Sequence, residues 1–311
     1  MKPKIFLTGA GGFLGRNILE ELGNKYRFVA PSHKQLDLTN SSAVENFFGK
    51  NKYFDYVIHT AIVGGNRKIP NTAEIATTNL KMFFNVARCD KYFGKMIHLG
   101  SGIEYGKERP LKKVKEVDFD KFVPKDNFGF YKYLCGKYVE TTDNIINLRL
   151  FGIFGKYEDA TIRFISNAIC KSILGMPITV HQNVYFDYLY TPDFVKIVDY
   201  FLNHKAKYRS YNVGSEKRIG LKTIADKINK KSFSANKQSF SANRISRKKL
   251  PIVISLKGFS NEYTCDIKRL KAELGSFKFT DIDSAIEELY GWYYAQKGRL
   301  RKKDFLDDHF N

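Results

Sequence analysis

The sequence predicts an α/β protein: a doubly wound parallel sheet with helices on both faces, followed by a smaller C-terminal region. Three observations carry this. Apolar strand-like runs alternate with helical patterns through the first half of the chain, the rhythm of βαβ units, which makes strands parallel. The first apolar run leads directly into a glycine-rich turn, Thr8-Gly9-Ala10-Gly11-Gly12-Phe13-Leu14-Gly15, that opens a helix. The 311 residues, 43% of them hydrophobic, suffice for a sizeable core in one large or two moderate domains.

The elements follow in order. Lys4–Thr8 is a short strand and Phe13–Leu22 a helix; residues 26–30 form a second strand. Residues 41–48 form a helix capped by Ser41 or Ser42. Residues 53–60 (YFDYVIHT) are apolar almost throughout, as in a strand buried on both faces. A helix over 77–92, a strand over 95–99, a long loop over 100–127, a helix over 128–142 and a strand over 144–151 complete the first half. Later, 160–174 is helical and 184–190 strand-like, and Thr191-Pro192-Asp193 starts a helix with Thr191 as cap and Pro192 first. A strand over 208–213 and helices over 221–230, 266–274 and 281–295 follow.

Several function classes are disfavoured. No apolar run approaches the ~18 residues of a membrane span, and the N-terminus reaches glycine too soon for a secretory signal. A cytoplasmic protein with no membrane partner is expected. Cys89, Cys135, Cys170 and Cys265 lack paired spacing, so neither a metal nor a disulfide is expected. The net charge of +20 comes from lysines scattered along the whole chain. That reads as a solvated surface whose field attracts anionic ligands rather than as a nucleic-acid site, since no reading element accompanies it. The tandem SFSAN, at 232–236 and 239–243, is read as a duplicated surface segment without chemistry.

The glycine turn has a chemical reason. A tight turn needs positive φ, a pyrophosphate must approach bare backbone, and the helix must pack closely on the strand. The helix N-terminus then offers free N–H groups to the phosphates. Gly9, Gly12 and Gly15 are spaced for these tasks, so residues 1–155, completed by 184–213, read as a Rossmann-type dinucleotide-binding domain. Residues 156–183 and 214–311 form the smaller substrate-binding part. A domain that prefers NAD ends its second strand in a carboxylate for the ribose hydroxyls. Here Ser32, His33 and Lys34 stand there, and no carboxylate appears before Asp37. The expected cofactor is NADP, with NAD the alternative.

These segments together resemble the extended short-chain dehydrogenase/reductase family, the NAD-dependent epimerase/dehydratase group, over nearly the whole chain. TGAGGFLG is similar to its cofactor loop, and QLDLTNSSAVENFF to the segment after the second strand in GDP-fucose synthases and dTDP-dehydrorhamnose reductases. His59-Thr60-Ala61 with Val63-Gly64-Gly65 resembles the third-strand loop. HLGSGIEYG, RLFGIFG, FDYLYTPD and YNVGS resemble later motifs. The resemblance implies a cofactor site of Gly9, Gly12, Phe13, Leu14, Gly15, Ser32, His33, Lys34, Asp37, Leu38, Thr60, Ala61, Asn79, Lys132 and Phe151. It also implies a homodimer through the helices over 77–92 and 128–142.

The family's catalytic set is a Ser or Thr with the Tyr and Lys of YxxxK, which share one helical face. The lysine cation lowers the phenol's pKa, and the phenol exchanges a proton with a sugar oxygen. Ser101 fits the serine. In Asp126-Asn127-Phe128-Gly129-Phe130-Tyr131-Lys132-Tyr133-Leu134-Cys135-Gly136-Lys137, the favoured register puts Lys132 at the lysine and Phe128 at the tyrosine. Phe cannot carry a proton. Either the usual acid/base is lost, leaving an impaired or redox-inactive member, or the position is an engineered Tyr→Phe. Tyr133 with Lys137 matches YxxxK in a second register, about 140° around the helix. The dehydratases' Thr-Asp-Glu is absent, Ile103 stands where an epimerising Cys would be, and the family's partner His is replaced near Arg163. The implied activity is NADPH-dependent reduction of a 4-keto nucleotide-diphosphate sugar, as in bacterial-type surface polysaccharide or deoxysugar synthesis. A 4-epimerase holding NAD is the alternative.

Overall fold

The computed structural model describes residues 1–65, 68–238 and 249–306, with side chains of 233–238 left aside. The second SFSAN copy lies outside the described residues. The chain runs β1 (Lys4–Thr8), α1 (Phe13–Leu22), β2 (Arg27–Val29), α2 (Ser41–Asn51), β3 (Phe54–His59), α3 (Ala73–Ala87), β4 (Phe93–Ser101), β5 (Leu111–Val114), α4 (Asn127–Glu140), β6 (Ile145–Leu150) and β7 (Gly152–Phe154). It continues with α5 (Phe164–Ile173), β8 (Ile178–Asn183), β9 (Tyr185–Tyr190), α6 (Thr191–Asn203), β10 (Ser210–Val213), β11 (Arg218–Gly220), α7 (Leu221–Gln238), β12 (Ile252–Phe259), β13 (Tyr263–Cys265), α8 (Lys268–Leu274) and α9 (Ile282–Ala295).

Six parallel strands form the main sheet, in the order β10-β6-β4-β3-β1-β2. From β1 the order steps outward to β2 on one side and to β3 on the other. The crevice at the carboxyl ends of β1 and β3 is therefore the topological switch point, where doubly wound sheets bind ligands. The strands bury nearly every residue because apolar layers cover both faces. On one side Ile5, Leu7, Ile97 and Leu148 pack with Ile18 of α1 and Phe194, Val198 and Phe201 of α6. On the other Phe6, Val57 and Met96 pack with Phe48 of α2, Phe83 of α3 and Tyr131 and Cys135 of α4. A third core joins α5, α7 and α9 through Ile169, Ile228 and Leu289.

The second sheet, β11-β9-β13-β5 with β7 beside β9, was only partly expected. Ser210–Val213 supplies the sixth strand of the main sheet, whereas Tyr185–Tyr190 belongs to the second. The expected loop over 100–127 contains β5, whose Leu111 and Val114 are buried and whose Lys112 and Lys113 are exposed. β5 pairs with β13, a partner too remote in sequence for any local pattern to show. The parallel pair β8–β12 was missed for the same reason.

Helix ends correct three further expectations. α2 is capped by Asn40, whose side chain accepts from Ala43 N at 3.0 Å, and not by Ser41 or Ser42. α3 starts earlier than expected, at Ala73, because Thr72 caps it. It also stops earlier, at Ala87, and Asp90–Tyr92 forms a separate 3-10 turn. Thr191 is already helical and Tyr190 is the cap. Among the described residues, no helix is long and apolar enough to cross a membrane.

Candidate active site

The glycine turn closes on the end of β3. Gly9 has φ +69°, and a Cβ there would lie 2.7 Å from Ala61 N and Thr60 Oγ1. Thr60 Oγ1 donates to Thr8 O at 2.7 Å, and Thr8 Oγ1 accepts from the amides of Thr60 and Ala61, both at 3.1 Å. Gly15 lets α1 touch the turn, since a Cβ would meet Gly9 O at 2.3 Å. Gly11 faces open space. α1 begins after Gly12 with no side-chain cap, so its first amides carry a partial positive charge and have no cap acceptor. An uncapped helix start above open backbone is what a dinucleotide pyrophosphate needs. Phe13 and Leu14 form the first turn of α1.

Beyond β2 the chain turns at residues 32–35. Ser32 N and Oγ both donate to Gln35 Oε1, and His33 and Lys34 are exposed. The exposed Asp37 carboxylate lies below its ordinary pKa because it accepts from Thr39 N and Oγ1, and Ser32, His33 and Lys34 stand between it and β2. Leu38 is buried, and its carbonyl accepts from Asn85 Nδ2 at 2.9 Å. Asn79 is buried and spends its amide on the β3 loop. Its Oδ1 accepts from Val63 N at 2.9 Å, and its Nδ2 donates to Val63 O and Ile75 O. It thereby fixes the loop that carries Ala61.

Ser101 ends β4, and its position is fixed from below. Glu104 Oε1 accepts from Ser101 N at 2.9 Å. Glu104 Oε2 accepts from Arg149 Nε at 2.7 Å and Asn147 Nδ2 at 3.0 Å. Both charged groups are fully buried, and Arg149 stacks over Phe119 at 4.0 Å. This paired charge locks the turn Gly102–Tyr105 that begins at Ser101.

Helix α4 places the residues of the two registers differently. Asp126 caps it by accepting from Gly129 N at 3.0 Å. Lys132 is buried and its Nζ donates to Leu99 O at 2.5 Å, two residues before Ser101 on β4. Burial pulls its pKa below the ordinary lysine value. Beside it lie His59 and His98, stacked 5.8 Å apart. Burial, with a smaller effect from Lys132, lowers both, His59 to about 3. His59 faces Thr8 Oγ1 at 3.0 Å, while neither ring nitrogen of His98 has a partner. Phe128 is half-buried on the first turn of α4 and presses its ring on Gly65, where a Cβ would lie 2.6 Å from Phe128 Cζ. Arg163 NH2 donates to Gly65 O at 3.1 Å. Tyr133 and Lys137 point elsewhere, the phenol to Asp120 Oδ1 and the ammonium to Asp120 Oδ2 at 2.7 Å.

Sequence reasoning missed Tyr263. β13 carries its phenol to 3.4 Å from Ser101 Oγ. Its ring packs 4.9 Å from that of Phe151, and a Cβ on Gly102 would lie 2.7 Å from both the Phe151 ring and the Tyr263 hydroxyl. Phe151 is buried directly after β6. No sequence signal marks Tyr263, because the contact joins two sheets across 162 positions. Cys89, Cys135, Cys170 and Cys265 are all buried free thiols, and among the described residues no cluster could hold a metal.

A glycine turn at the switch point, an uncapped helix start, and a buried lysine with a serine at the end of β4 define a nicotinamide-dinucleotide enzyme. The chain belongs to the NAD dependent epimerase/dehydratase family, whose profile matches residues 5–214. It is similar to the GDP-L-colitose synthase of Yersinia pseudotuberculosis, 28% identical over 68% of this chain and 76% of that protein. Its fold is similar to a GDP-L-fucose synthetase from Naegleria fowleri bound to NADP, with TM-score 0.77, 17% identity and 97% of each chain covered. It is also similar to a GDP-mannoheptose C4 reductase from Campylobacter jejuni with NADP bound, with TM-score 0.73, 18% identity, and 94% of this chain and 98% of that one covered.

Proposed function

We propose that the chain reduces the 4-keto group of a nucleotide-diphosphate sugar with NADPH. The observation that carries this reading is the convergence of Ser101 and Lys132 on the end of β4 beside the glycine turn. When bound, NADPH supplies the hydride. The amides of the turn and of α1 hold its pyrophosphate, with Phe13 and Leu14 in the first helical turn. Ser32, His33 and Lys34 favour a 2′-phosphate, because they stand at the end of β2 where an NAD-preferring domain carries a carboxylate. Lys132 holds the nicotinamide ribose, Thr60, Ala61 and Phe151 line the dinucleotide, and Ser101 donates a hydrogen bond to the sugar carbonyl oxygen. Relatives named for GDP-sugar synthesis support the substrate class.

Reduction without epimerisation fits Ile103, a side chain with no ionisable group, next to the catalytic turn. The helical pair α3 and α4 supports assembly as a homodimer. The test is a panel of GDP-, CDP-, UDP- and dTDP-linked 4-keto sugars with NADPH, followed by loss of reduced-nicotinamide absorbance. Turnover with one nucleotide class is expected. Interconversion of 4-epimers by enzyme carrying NAD, with no net NADPH consumption, would overturn the reading.

A further inference from the structure

The family's proton donor is a tyrosine at the position of Phe128, and a benzyl ring has no proton to give. A phenol nonetheless reaches the same serine from another element. Tyr263 OH stands 3.4 Å from Ser101 Oγ. It is held there from three sides: by the Phe151 ring at 4.9 Å, by the Phe186 ring at 5.8 Å and by the bare backbone of Gly102. β13, which carries it, is fixed by pairing with both β5 and β9. The tyrosines of α4 offer no substitute: Tyr138 packs on Phe83 and Phe84 of α3. Tyr133 is bound to Asp120, and Tyr131 is buried in the apolar layer under α3.

We infer that Tyr263 supplies, through Ser101, the proton that Phe128 cannot. This rests on the reductase reading above. In the reduction the C=O double bond becomes a single bond, the carbon gaining the hydride and the oxygen a proton. The Ser101 O–H bond breaks to give that proton, and the Tyr263 O–H bond breaks to restore it to Ser101 Oγ. The phenol is recharged from water, the ketone is reduced by two electrons and the nicotinamide oxidised by two. Burial raises the Tyr263 phenol above its ordinary pKa, so the phenol keeps its proton in the resting enzyme and is there to give it when Ser101 loses its own. Tyr263 reaches the sugar oxygen only through Ser101 Oγ, to which its O–H proton passes. It is a positioning and proton-supplying residue behind a catalytic serine.

The test compares wild type, Tyr263→Phe, and Tyr263→Phe combined with Phe128→Tyr. The panel substrate is used for turnover, with NADPH binding measured separately by fluorescence titration. Tyr263→Phe is expected to lower kcat by about 10²-fold or more, the usual worth of a general acid, with KM and NADPH affinity held. Phe128→Tyr is expected to raise kcat more in the Tyr263→Phe background than in wild type, recovering most of that loss, a non-additivity that a merely structural role for Tyr263 would not give. An active wild type with an equally fast Tyr263→Phe overturns the inference and leaves the reductase reading intact. Loss of NADPH affinity in Tyr263→Phe, or no recovery in the double variant, assigns Tyr263 a packing role and also overturns it. A wild type inactive on every 4-keto sugar sinks the reductase reading, and the relay with it.

Discussion

Arg149 and Glu104 form a buried ion pair that holds Ser101, the proposed catalytic serine, in place. Removing one partner of such a pair leaves an uncompensated charge and costs about 3–5 kcal/mol. Arg149→Met should therefore lower the unfolding free energy by that amount, read as a fall in the denaturant midpoint at unchanged m, and also slow turnover, because Glu104 anchors the Ser101 amide. An unchanged midpoint would show that the Glu104 carboxylate finds another partner. Position 128 carries a second prediction. Phe128→Tyr places a phenol above Lys132 on the same helical face and should raise kcat by about 10- to 100-fold, less than the full worth of a general acid because Tyr263 already serves. Tyr133→Phe should leave kcat unchanged, since that phenol serves Asp120. The reverse pattern in steady-state kinetics would mean that the other register faces the cofactor. The glycine turn was legible in the sequence because its parts are contiguous. The sequence favours the Phe128/Lys132 register of α4 without excluding the other, because both satisfy i,i+4 spacing and the direction of each helix face depends on packing against β4.

At the scale of elements, β3 and β4 bury two neutral imidazoles side by side beneath α4. The His59 pKa falls to about 3 and that of His98 is also depressed, while both return to about 6.5 when the chain unfolds. The unfolded state therefore binds these protons first. Their contribution to stability is complete above about pH 6.5 and is lost as pH falls from there toward the folded values. His98 has no hydrogen-bond partner, so His98→Leu removes a group that must stay uncharged and gives up no hydrogen bond, while an apolar side chain still packs on Phe83. The melting temperature of this variant should match or exceed wild type at pH 7 and fall less steeply between pH 7 and pH 5. An identical pH slope would show that His98 does not carry this linkage. The strands β5, β8, β12 and β13 were illegible for a different reason. They are short or exposed, and each is defined by a partner distant in the chain. Asn79 was legible as a position of interest, but its geometry makes it a brace for the β3 loop.

At the scale of the whole molecule, α3 and α4 form one face of the main domain, joined through Phe83, Phe84 and Tyr138. Phe130 lies on α4 with 41% of its surface exposed, and Leu80, Phe84 and Leu134 are only half-buried. An apolar helical face of this kind suits an isologous interface. Light scattering should give a homodimer at micromolar concentration, and Phe130→Asp should shift it toward monomer. A monomeric wild type would contradict this.

The central claim is the chemistry, and isotope transfer tests it most directly. NADPH deuterated at the transferred position is to be incubated with the accepted 4-keto sugar nucleotide, and the product examined by proton NMR. The account predicts one deuterium at C4 of the sugar, with the protons at C3 and C5 retained in heavy water. Exchange at C3 or C5 would reveal an epimerising enzyme, and a product without deuterium at C4 would contradict reduction altogether.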